Sequence, residues 1–245
     1  MPVRLTNRPF FAAYIQALRG RWLVWTLAAL TSVLPVVAQP APPAPQTRFV
    51  VVLDAAHGGD DTGGRLAHGQ LEKAFTLALS VRLHSLLAAR GIPVVTTRDS
   101  DAAVDPVKRA EIANRAQAQA CLSLHASENG SGIYLFVSSL APAAPARFPA
   151  WKTAQAAAVM RSIKLAGVIN SALLHAGMSV TLSRTSLPAM DSMTCPAVTV
   201  EIAPEQTHET TAGLDDKDYQ ARVAAALAAA LLEWRTDAGR TEARP

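Results

Sequence analysis

Two histidines and two glutamates, His57, Glu72, His125 and Glu201, are the residues of this chain with the chemistry of a metallohydrolase. Zinc takes imidazole nitrogen and carboxylate oxygen, and a catalytic zinc keeps three protein ligands with a water in its open position. A fourth group can then take a proton from that water. Each residue alone has a plainer explanation. A histidine after a strand is more often a turn or core residue, and a glutamate in a helix's first turn suits the helix dipole. Glu201 directly follows an apolar run, where a carboxylate needs a partner. Spacing alone leaves both readings open. His68, His84, His175 and His208 fall in predicted loops or helices and fit solvated roles.

Other chemistries find less support. Gly130-Ser131-Gly132 is not a nucleophile elbow, which needs Gly-x-Ser-x-Gly between strand and helix. No phosphate loop, no Gly-x-Gly-x-x-Gly after the first strand and no His-Glu-x-x-His is present. Cys195 precedes Pro196 and has no assigned base.

The elements that must position the four residues follow from the hydrophobic pattern. Phe49 to Leu53 is a β-branched apolar run that predicts a buried strand, with His57 just past its end. Open α/β sheets bind ligands at that edge. Apolar residues from Leu71 to Leu87 recur at helical spacing, with Glu72 in the first turn and Gly91 closing the helix. Ile92 to Thr96 completes a βαβ unit. A second helix is predicted over Val107 to Gln119, capped by Asp105 with Pro106 at its first position. Strands are expected over Ala120 to Leu124, Ile133 to Val137 and Ala197 to Val200. The first of these runs into His125 and the last into Glu201. Between Ser138 and Trp151 we expect a surface loop near the site. Helices follow over Gln155 to Ala176 and from Leu214 to Trp234.

The first forty residues differ from the rest. Arg4, Arg8, Arg19 and Arg21 precede an apolar run, Leu23 to Val37, that ends in small residues before Gln39. This is the layout of a secretory signal, with an uncleaved anchor as the alternative. The expected organisation is a signal peptide over 1–38, a Pro-rich linker over 39–48, one domain over 49–235 and a polar, frayed tail over 236–245. The leader holds four of the 23 basic residues and none of the 19 acidic ones, so the chain from Gln39 is neutral. That argues against a nucleic-acid partner, which needs a basic surface. No membrane span is expected in the mature chain, whose home would be periplasmic or extracellular, and a monomer is the default. Cys121 and Cys195 both start predicted buried strands. They read first as two small buried hydrophobes, with a bridge as the alternative in an oxidising compartment.

Six motifs together resemble one family. Asp54-Ala55-Ala56-His57-Gly58-Gly59, Leu71-Glu72-Lys73, Thr97-Arg98-Asp99, Arg109 with Ala113-Asn114, Ser123-Leu124-His125-Ala126 and Pro196 to Glu201 occur in the order seen in zinc-dependent N-acetylmuramoyl-L-alanine amidases of the amidase type 3 family. The similarity runs from about Phe49 to Trp234. It implies an α/β, single-domain three-layer fold with a mostly parallel sheet of about six strands flanked by helices. It also implies zinc (Zn2+) held at His57, Glu72 and His125, with Glu201 as the catalytic carboxylate. The reaction implied is hydrolysis of the amide between N-acetylmuramic acid and L-alanine of the peptidoglycan stem peptide. Arg98, Arg109 and Asn114 match positions that look structural, a guanidinium pairing with carboxylates or carbonyls under the site.

The chain departs from the family at Ala55, at Ser127, over Ile202 to Glu205 and in a short Glu128 to Ser131 loop, none of which removes one of the four residues. The segment from Val137 to Gln155 is too short for the long inserted helix that blocks the site in some division-linked members, so no activator is expected to be required. Two other readings remain at this stage: a catalytically weak or inactive peptidoglycan-binding protein that retains the fold, and a zinc hydrolase of another amide.

Overall fold

β1 (Val51–Ala55) is buried along its whole length, which is what a continuous apolar run becomes when strands pair on both its edges. The computed structural model describes residues 48–148, 150–206 and 211–242. In it β1 pairs in parallel with β2 (Val94–Thr96) on one side and β3 (Ala120–Ala126) on the other. β3 in turn pairs in parallel with β6 (Ala197–Ile202). Beyond β6 lie β4 (Ile133–Ser138), which runs antiparallel to it, and the edge strand β5 (Val180–Thr185), parallel to β4. The sheet order is therefore β2-β1-β3-β6-β4-β5, six strands with one antiparallel pair.

Alternation along the strands divides the core in two. Leu53, Leu122, Leu124, Val198 and Val200 face the larger layer, built by α1 (Glu72–Ala88), α3 (Val159–His175) and α5 (Lys217–Glu242). α1 buries Phe75, Leu79, Leu83 and Leu87, one residue per turn, and ends where Gly91 adopts a positive φ and Ile92 donates to the Leu87 carbonyl. Val52, Cys121 and Ala197 face a smaller layer with Ala110 and Ala113 of α2 (Pro106–Arg115) and Met190 of α4 (Pro188–Asp191). α2 starts as the sequence predicts, with the Asp105 side chain accepting from the Lys108 N–H and Pro106 in the first turn. All of these core residues fall between Val51 and Trp234, inside the compact unit 46–245, so this stretch carries its own core.

Four expectations change. The segment after Ser138 is not beside the four candidate residues. Because β4 is antiparallel to β6, with Tyr134 opposite Glu201 and Phe136 opposite Thr199, Ser138 lies at the other end of the sheet. The single helix expected from Gln155 becomes a tight 3-10 stretch, Trp151–Ala157, bent by 65° from α3. Gln155 is buried at the bend, and its amide donates to the carbonyls of Met193 and Cys195. The polar tail continues α5 as far as Glu242. Cys121 and Cys195 form a disulfide, with Cα atoms 6.2 Å apart, within the usual span of such bridges. β5, α4 and the small β7 (Glu205–Gln206) and β8 (Thr211–Ala212) hairpin have no counterpart in the sequence reading. β5 is an edge strand with four of its residues exposed, so no apolar run marks it. No single described helix is long and apolar enough to cross a membrane.

Candidate metal centre

Just past β1 the chain turns sharply, and the turn is held by two buried arginines. Arg98 Nε donates to the Ala55 carbonyl at 2.9 Å, and its Nη2 donates to those of Ala56 and Lys73 at 2.9 and 2.7 Å. Arg109 Nη1 pairs with Asp54 at 2.6 Å and reaches the Ala55 carbonyl at 2.7 Å, while its Nη2 donates to the His57 carbonyl at 2.7 Å. Asp54 also accepts from Thr97 and Ser123. The guanidinium contacts implied by the resemblance are thus present. Asn114 acts further away, accepting from the Thr194 N–H and donating to the Ser192 carbonyl.

His57 sits in this turn with φ +62, a conformation uncommon outside glycine. Gly63 passes directly under it: a Cβ there would lie 2.5 Å from the His57 ring and 2.6 Å from Glu72 Oε2. Only glycine fits, and its absent side chain lets the loop close over both groups.

Glu72, the first residue of α1, lies between the two histidines. Its Oε2 is 3.0 Å from His57 Nε2 and its Oε1 is 3.0 Å from His125 Nδ1. The same carboxylate accepts from the Gly64 and Ala126 N–H groups at 2.8 and 3.1 Å. Burial pushes its pKa up, but the hydrogen bonds from His125, Gly64 and Ala126 outweigh this and hold it at about 2. The two imidazoles stand edge to face, 5.3 Å between centroids. One donor atom from each of His57, Glu72 and His125 falls within 4.8 Å of the others. Zinc bonds of about 2.0–2.2 Å in a tetrahedron set ligand atoms roughly 3.3–3.6 Å apart, so two nitrogens and a carboxylate oxygen gathered this closely fit such an ion.

Asp61, four residues past His57 in the same loop, is not singled out by the sequence. Both its carboxylate oxygens lie 2.9 Å from His57 Nδ1. A proton on Nδ1 leaves Nε2 with its lone pair toward Glu72. The hydrogen bond from His57 lowers the Asp61 pKa.

Glu201 is the direct neighbour of His125 across the parallel β3–β6 ladder, so both side chains rise from the same face. It is half-buried, and among the described residues its carboxylate accepts no hydrogen bond. Burial raises its pKa, with the Glu72 charge adding to the effect and His125 opposing it. The structure therefore brings all four residues singled out in the sequence to one sheet edge.

One level below, Asp54, Ser123 and Thr199 form a row in register across β1, β3 and β6. They line a cavity of about 240 Å³ together with Leu187, Met190, Met193, His57 and His125. The methionine lining was not foreseen, because the segment between α3 and β6 has no periodicity to read.

The sequence profile of the family described as N-acetylmuramoyl-L-alanine amidase matches residues 51–233. The chain is 40% identical over 77 residues to the N-acetylmuramoyl-L-alanine amidase AmiA of Escherichia coli (strain K12), covering 31% of this chain and 27% of that one. It is 34% identical over 146 residues to the endolysin of Bacillus phage SPP1, covering 58% and 52%. The matched stretches thus span about a quarter to a half of these curated relatives. Among solved structures, the catalytic domain of CwlV, an N-acetylmuramoyl-L-alanine amidase from Bacillus (Paenibacillus) polymyxa var. colistinus, superposes with a TM-score of 0.60 at 24% identity, covering 77% of this chain and 98% of that one. Ami1 from Mycobacterium smegmatis superposes with a TM-score of 0.61 at 19% identity, covering 76% and 96%. At these identities the superpositions speak for the fold.

Proposed function

We propose, because the chain belongs to the N-acetylmuramoyl-L-alanine amidase family, that it is an exported zinc-dependent hydrolase of peptidoglycan. Its bond is the amide between the lactyl group of N-acetylmuramic acid and L-alanine of the stem peptide. The observation that carries the reading is the half-buried Glu201, whose carboxylate accepts no hydrogen bond among the described residues, beside the gathered donors of His57, Glu72 and His125. A structural carboxylate at that depth would be paired.

In this reading His57, Glu72 and His125 hold the ion. Zinc bound there supplies a Lewis acid that polarises the amide carbonyl and acidifies water. Glu201 takes the proton of the attacking water and returns it to the leaving nitrogen of L-alanine. Its raised pKa makes it a stronger base than a solvated glutamate. Glu72, held ionised by two backbone N–H groups, stays an anion throughout. Asp61 keeps the His57 proton on Nδ1, away from the ion.

Export rests on the residue pattern of 1–38, followed by the Pro-rich linker over 39–48; residues 1–47 lie outside the described residues. The Cys121–Cys195 bridge supports an oxidising destination, periplasmic or extracellular. The reading is tested on the purified chain from Gln39 by metal content and by mass analysis of muropeptide products. One zinc per chain with free stem peptides released is the expected result. Glu201→Gln should abolish release while zinc is retained. Zinc without release by the unaltered protein would move it to a wall-binding role, and full activity in Glu201→Gln would remove Glu201 as the base.

A further inference from the structure

The 62 residues between Glu128 and Asp191 contain no acidic side chain, yet they hold Arg147, Lys152, Arg161, Lys164 and Arg184. The chain from Gln39 is neutral as a whole, so its charge is separated: this stretch is cationic and the remainder carries the balancing acid. Arg184 is spent on the carbonyls of Ser138 and Leu140. Arg147, Lys152, Arg161 and Lys164 are exposed, and none makes an ion pair among the described residues. Interleaved with them are apolar side chains that the core leaves out. Phe148 is 85% exposed, Met160 54% and Trp151 39%.

The topology puts these residues at one end of the sheet. β4 ends at the edge opposite to Glu201, so Arg147, Phe148, Trp151 and Lys152 follow from that far edge. β5 is parallel to β4 and must begin near the Glu201 edge. α3 therefore crosses from the far edge towards the site, and Met160, Arg161 and Lys164 occupy its first two turns.

We propose that this far edge is a docking surface for an anionic phospholipid membrane. Four exposed cations without an ion pair among the described residues attract an anionic surface, and exposed Trp151 and Phe148, the latter with the Arg147 guanidinium 5.5 Å over its ring, suit the headgroup boundary, where an aromatic ring is half solvated and half buried. A soluble polyanion would use the cations but gain nothing from Phe148 and Met160. A second copy of the chain would bring like charges together. Docked in this way, the domain presents His57, Glu72, His125 and Glu201 away from the lipid. The inference depends on neither the metal nor the amide bond, so its failure and that of the amidase reading are separable.

The test is cosedimentation of the chain from Gln39, which lacks the apolar leader, with vesicles of phosphatidylglycerol and phosphatidylcholine and with vesicles of phosphatidylcholine alone. We expect partitioning onto the anionic vesicles at low salt, at least tenfold weaker on phosphatidylcholine and weakened likewise by high salt. The combined variant R147E/K152E/R161E/K164E should lose at least tenfold, and F148S/W151S several-fold, both with unaltered melting temperature because the sites are exposed. Glu201→Gln should bind as the unaltered chain does. Absence of partitioning, equal partitioning onto both vesicles, or binding unaffected by charge reversal would overturn the proposal. So would binding of soluble polyphosphate, undiminished in F148S/W151S, without vesicle binding.

Discussion

Glu201 and Glu72 are two carboxylates at one sheet edge whose surroundings push them apart. Three neighbours donate to Glu72 and hold it at about 2; Glu201 is raised by burial first, with the Glu72 charge adding to the effect against the opposing pull of His125. If Glu201 must be ionised to accept a proton, the base form is lost as pH falls through its raised pKa. The acid limb of kcat/KM should then lie above the ordinary carboxylate value of about 4.5. A pH profile on a soluble muropeptide checks this, and a limb at or below that value would contradict the burial argument. Asp61 makes the second prediction. A carboxylate on the outer nitrogen of a metal-binding imidazole typically contributes about 10–100-fold in metal affinity. Asp61→Ala should weaken zinc binding within that range, and Asp61→Asn, which keeps an acceptor, should weaken it less. Chelator competition measures both, and equal affinities in all three proteins would leave Asp61 a loop residue. The four central residues were legible because strand ends and a helix start are marked by the apolar pattern. Asp61 was not, since nothing in a loop's sequence says which acid turns inward.

At the scale of elements, the site depends on how β1 ends. Three carbonyls there, those of Ala55, Ala56 and His57, point at guanidinium groups from two other segments, so β1, α2 and the Arg98 loop are fastened together through polar atoms. Asp54 supplies the counter-charge to Arg109, with both side chains almost fully buried. Removing one partner of a buried pair leaves the other charge uncompensated and costs roughly 3–5 kcal/mol. Thr97 and Ser123 still donate to Asp54, so Arg109→Leu should fall near the lower end, about 3 kcal/mol in urea unfolding. A loss below about 1 kcal/mol, as for an exposed pair, would show that the pairing is not an organising contact. The parallel βαβ units were readable because buried strands and amphipathic helices carry strong periodicities. β5 and α4 were not: one is an exposed edge strand and the other a single turn held by Gln155, which donates to the Met190 carbonyl, and by Ser138, which donates to Asp191, across long sequence distances. The loop after Ser138 was misplaced for a related reason, since strand direction is decided by pairing partners that local sequence does not name.

For the molecule as a whole, the bridge between Cys121 and Cys195 closes a loop of 74 residues. Sequence left this pairing open, because the separation of two Cα atoms depends on β3 and β6 being neighbours. Constraining a loop of that length in the unfolded chain stabilises the fold by about 4 kcal/mol in the chain-entropy account. For a domain of this size about 2–4 °C of melting temperature accompanies each kcal/mol, so reduction should lower the midpoint by roughly 10 °C. The bridge joins the early part of β3 to the residues just before β6, the strands that carry His125 and Glu201. Those strands are already aligned by six residue pairs, from Cys121 opposite Ala197 to Ala126 opposite Ile202. The crosslink therefore acts on the unfolded ensemble more than on the site. Reduced and oxidised protein, compared well below either midpoint, should show the same kcat while their melting curves separate. A kcat that falls on reduction with the fold intact would mean that the bridge holds the two strands in catalytic alignment. Unshifted melting would mean that the loop is already constrained in the unfolded chain.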